Sequence, residues 1–123
     1  MKKHNLIPIG TFRLGNVNVR LVADPLSEGG NFVSLPSPVI TVGLHQNTWP
    51  EVVTILLHEV MEFSLMMREL KYRAVPVVNF DCADVSFFLT HDKFGRVCSD
   101  TGAFIANALP DLAKVHNRNL KNK

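Results

Sequence analysis

Cysteine is scarce in this chain, with two in 123 residues, and there is one tryptophan and one tyrosine. Cys82 and Cys98 make neither a disulfide framework nor a zinc-finger spacing, so a small fold stapled by cross-links is excluded. Charge of one sign is also scarce, since 13 Lys and Arg against 11 Asp and Glu leave a net +2. Nucleic-acid binders usually show a clustered basic face. Here Lys2, Lys3, Lys114, Arg118, Lys121 and Lys123 sit towards the two ends, and the last four have no aromatic neighbour to stack on a base. A nucleic-acid partner is therefore not expected. No run reaches the roughly 20 apolar residues that cross a bilayer, so no membrane partner is expected either. The first residues lack the apolar stretch of a signal peptide, and a cytoplasmic, reduced protein is the expectation. There is no internal repeat and no low-complexity segment.

What remains is the composition of an ordinary globular domain, 46% hydrophobic and 20% charged. A chain of this size can bury roughly two-thirds of its unfolded surface, enough for one core. The reading is a single domain over residues 1–116, followed by a basic flexible tail from Asn117 to Lys123, where Leu120 is the only apolar residue. Thr11 to Leu14 and Val17 to Ala23 flank Gly15-Asn16, and Val17, Val19 and Leu21 alternate with Asn18, Arg20 and Val22, which predicts a β-hairpin. Phe32 to Leu35 and Val39 to Leu44 are further extended segments, and Pro36 and Pro38 make Val33 to Pro38 an edge or a loop.

Thr48-Trp49-Pro50-Glu51 has the pattern of a capping box, so a helix starts near Trp49 and runs to about Lys71, before Pro76. Val75 to Phe80 and Val85 to Thr90 read as short extended segments. After Thr90 apolar residues recur at helical spacing as far as Leu112, with Gly95, Gly102 and Pro110 allowing two helical pieces. The predicted class is α+β: a small, mostly antiparallel sheet with a long helix and a second, C-terminal helix on one face.

The long helix carries the chemistry. Between Val52 and Met67 its only ionisable residues are His58, Glu59 and Glu62. At about 100° per residue, Glu62 lies roughly 40° around the helix from His58 and one turn along, so an imidazole and a carboxylate share a face as a two-ligand metal clamp. Glu59 points about 100° away, beside such an ion instead of on it. The helix reads as buried nearly all round, and burying unpaired charge among Leu57, Val60, Met61 and Phe63 would cost several kcal/mol, which a cation would offset. A second reading stays open: Glu51, Thr54, His58, Glu62 and Glu69 fall within an arc of about 80°, which describes a solvated stripe equally well.

His58-Glu59-Val60-Met61-Glu62, on a long helix after the extended segment Val39 to Leu44, resembles the zincin metallopeptidases, whose signature is H-E-x-x-H. It is most similar to the small, minimal zincin-like proteins of phage and prophage genomes, over roughly Phe12 to Leu109. The chain departs at the fifth position, where Glu62 stands in place of the second His.

The resemblance implies zinc held by His58, Glu62 and a downstream third ligand, for which His91 is the first candidate; Asp84, Asp92, Asp81 and His45 are alternatives. It implies Glu59 as the general base that activates water against a peptide bond. It also implies that the edge strand before the helix holds an extended peptide, which nominates Ile40, Val42 and Leu44. Carboxylate is a competent zinc ligand, but an anionic Glu62 would weaken the ion as a Lewis acid, and modest or absent activity is expected. Another divalent metal would suit the same donors. The partner is then a peptide or protein substrate. The alternative is a catalytically degenerate zincin-like protein that binds a host protein. Nothing in the sequence sets an oligomeric state. Trp49 most simply anchors the start of the helix, Tyr72 is most simply a packing or surface residue, and the two cysteines carry idle thiols.

Overall fold

In the computed structural model of the chain, residues 5–34, 36–67 and 91–122 are described. Four strands, β1 (Ile7–Leu14), β2 (Val17–Asp24), β3 (Gly30–Val33) and β4 (Val39–Gly43), precede helices α1 (Trp49–Met67) and α2 (His91–Lys121). The class is α+β, as expected. The stretches Val75 to Phe80 and Val85 to Thr90, the extension of the first helix to Lys71, and Tyr72, Asp81, Cys82 and Asp84 lie outside the described residues.

The hairpin forms where the alternation places it, with Gly15-Asn16 as its turn and Leu14 paired with Val17. Along β2, Val19 and Leu21 are buried while Asn18 and Arg20 are exposed, the period-two pattern of a half-covered sheet. The strand order is β1-β2-β4-β3. β1 and β3 run antiparallel to their neighbours, and β2 and β4 run parallel. β4 is thus bonded to β2 along one side and to β3 along the other.

Both helices cover one face, α2 over β1 and α1 over β4 and β3. Edge-to-face ring pairs mark the two attachments. Phe104 of α2 meets Phe12 of β1 with centroids 5.6 Å apart, and Phe63 of α1 meets Phe32 of β3 at 5.2 Å. Phe63 is also among the largest side chains buried completely in the core. Phe63→Ala should cost about 3–5 kcal/mol of stability, read as a lower midpoint in urea with an unchanged slope.

One sequence expectation is borne out here and one corrected. The expected C-terminal helix forms as a single helix of 31 residues, with Pro110 inside it and without the division into two pieces that the sequence allowed. Pro110 is exposed, so the carbonyl left without its amide partner can turn to water. The helix also continues through Lys121, so Asn117 to Lys121 are helical and form no flexible tail. Arg118 and Lys121 in the last turn complement the negative end of the helix dipole.

Candidate functional site

The helix bearing His58 starts from a tightly fixed corner. Asn47 donates through Nδ2 to the carbonyls of Glu28 and Gly43, at 2.8 and 3.0 Å. The preceding residue, Gln46, takes a left-handed conformation with φ of 59°. Thr48 is then the N-cap. Its amide and its hydroxyl both donate to Glu51 Oε1, at 3.2 and 2.8 Å, and its Oγ1 in turn accepts from the Glu51 amide at 3.4 Å. These bonds, the hydroxyl's first and the amide's second, hold the Glu51 carboxyl below the usual carboxylate range against a slight opposing effect of burial. The contribution of Glu51 is therefore present at neutral pH and lost as pH falls through its lowered folded value. Thr48→Ala should lower stability by about 1 kcal/mol, checked by thermal unfolding at pH 7.

From the other side α2 reaches the same corner. His116, 3% exposed, places Nε2 3.1 Å from the Asn47 carbonyl oxygen, and its ring lies 5.6 Å from that of Trp49. Trp49 thus anchors the helix start, as expected. The end of α1 and the early turns of α2 are together as well, because Met67, Lys93, Arg96 and Asp100 line one cavity of about 620 Å³ with the β1–β2 turn. The two helices therefore run antiparallel.

One turn apart on α1, His58 Nε2 and Glu62 Oε2 lie 3.0 Å from each other, as their spacing predicts. Their side chains are 67% and 34% exposed. The outer side of α1 is open to solvent at Thr54, Leu57 and Met66 too, which corrects the expectation of a helix buried nearly all round. No desolvation cost has to be offset by a cation at His58.

That cost falls on Glu59 instead. Glu59 is 8% exposed, on the same side of the helix as Val52, Leu56 and Phe63, and turned towards β3. A Cβ on Gly30 of β3 would stand 2.6 Å from Ile55 Cγ2 and 3.1 Å from Glu59 Cγ, so only a glycine lets α1 settle this closely. Burial pushes the Glu59 carboxyl above the usual carboxylate range. A charged His58 opposes the rise and Glu62 adds to it.

Of the remaining sequence-predicted residues, Asp81 and Asp84 lie outside the described residues, and His91, Asp92 and His45 form no three-residue group with the pair. His91 is the exposed first residue of α2, at the Met67 end of α1. Along the axis Met67 is about 7.5 Å from Glu62 and about 13.5 Å from His58. Asp92 is exposed beside His91, and His45 is held in the corner after β4 by its amide bond to the Ser27 carbonyl. Among the described residues no three His, Cys, Asp or Glu side chains form a group able to hold a metal ion. Cys98 is a free, exposed thiol.

The substrate-strand expectation is corrected by the sheet. Ile40, Val42 and Leu44 are core residues, the first two fully buried and the third 1% exposed, and β4 has no free side on which to add a strand. Among the described residues, the strand next to α1 with no neighbour on its outer side is β3. A depression of about 450 Å³ lined by Glu28, Asn47, Pro50, Glu51, Thr54 and Ile55 lies between the corner and this helix, and Thr54 is one turn before His58.

The donor chemistry of the pair suits a divalent ion. Zinc bonds of about 2.0–2.2 Å at a tetrahedral angle separate two ligands by roughly 3.3 Å, so His58 and Glu62 would need to part by only about 0.3 Å. They would supply half of a four-ligand shell. Among the described residues no helix is long and apolar enough to cross a membrane. Comparison of the chain with protein-family models, with curated proteins and with solved structures gave no match.

Proposed function

We propose that the protein is a minimal zincin-like, metal-dependent hydrolase acting on peptide or protein substrates, with His58 and Glu62 as metal ligands and Glu59 as the general base. The observation that carries this reading is one turn of helix presenting an accessible imidazole–carboxylate pair 3.0 Å apart, next to a carboxyl whose proton affinity is raised by burial. A zinc ion, when bound, supplies Lewis acidity towards a carbonyl and lowers the pKa of a water. The protein's own share is proton handling and positioning. Glu59, with its raised pKa, is a stronger base than an exposed carboxylate and is suited to take a proton and return it to a leaving amine. An extended substrate would lie along the outer side of β3, which no described strand covers and whose first residue, Gly30, packs against Glu59 and Ile55. His91 is proposed as the third ligand on the resemblance alone.

The test is elemental analysis of protein purified without an affinity tag. Wild type should hold about one equivalent of zinc, His58→Ala should hold none, and His91→Ala should hold less than wild type if the third ligand is His91. Equal metal content in His58→Ala and wild type would end the proposal.

A second reading has its own support. His58 and Glu62 already satisfy each other across the helix surface, and exposed Leu57 and Met66 flank them. Those features suit a degenerate site on a protein that works by binding a partner protein. Bound zinc without turnover on any member of a peptide library would favour this reading over the hydrolase.

A further inference from the structure

We draw no further inference here: the strongest candidate, the cavity between the β1–β2 turn and the first turns of α2 with Lys93 and Arg96 on its wall, rests on a helix N-terminus and surface cations with no second observation that points to a ligand.

Discussion

Glu59→Gln is expected to make the protein more stable at neutral pH and, under the proposed function, to abolish hydrolysis. The two effects have one origin. Glu59 sits 8% exposed between α1 and β3, where the charged carboxylate loses hydration. Its pKa is raised, so between the ordinary value of 4.5 and the higher folded value the native state holds more proton than the unfolded state. In that window stability falls as pH rises, and above it the penalty is fully present. Glutamine keeps the shape and removes the charge, so the variant should be more stable than wild type at pH 8, with the advantage vanishing below about pH 4.5. Urea unfolding of both proteins from pH 4 to pH 8 measures this directly, and parallel stability profiles would show that burial does not act on Glu59 as argued. As the proposed base, Glu59 should carry about 10²- to 10⁴-fold of the rate, while metal content stays at the wild-type level. A variant that gained stability and kept full activity would separate the buried carboxyl from the chemistry.

Gly43→Ala is expected to cost about 3 kcal/mol or more, at the upper end for an overpacked site. Gly43 ends β4, and the loop after β2 lies directly on it. A methyl group there would run into the carbonyl oxygens of Ser27 and Gly29 and the backbone of Glu28. These atoms cannot turn aside as a flexible side chain would. The Gly29 carbonyl accepts from the Gly43 amide at 2.7 Å, the Ser27 carbonyl accepts from His45, and the Glu28 carbonyl accepts from Asn47. Moving the loop away would therefore loosen the corner from which α1 starts. The expected signature is a large drop in the urea midpoint, together with faster hydrogen exchange at the amides of Gly43 and His45. Gly29→Ala is the matched control, because a Cβ there meets nothing within 4 Å.

Local chemistry was legible in the sequence and spatial order was not. The hairpin turn at Gly15-Asn16, the Thr48–Glu51 capping box and the meeting of His58 with Glu62 depend on residues at most four apart, and each formed at the predicted place. The position of β4 inside the sheet depends on which strand pairs with which, and the pattern of Val39 to Leu44 fits an edge or a centre equally well. Pro110 invited a break in α2, but exposure of that residue and burial of Phe104, Ala108 and Leu112 along the inner face keep the helix continuous.

The misread face of α1 was recoverable. Val52, Leu56, Glu59 and Phe63 follow the spacing of a buried stripe, so Glu59 falls on the core side by periodicity alone. Grouping it with His58 and Glu62 by chemistry obscured that. The place of His91 at the start of α2 is a different case, because it is set by the antiparallel course of α2, which no local signal in the sequence carries.

The two outer strands of the described sheet are unequal in their capacity to recruit another chain. β1 contains Pro8, which has no amide proton, and a bulge between Pro8 and Gly10 breaks the regular spacing of its backbone groups. β3 carries no such block, but it has only four residues. A sheet grows into a fibre only when both margins can template the next molecule. Here two molecules joined β3 to β3 would turn their obstructed β1 margins outwards, so the assembly would stop at two. In the described sheet, an extended segment added to the short strand beside Glu59 would thus not make the protein a seed for polymerisation.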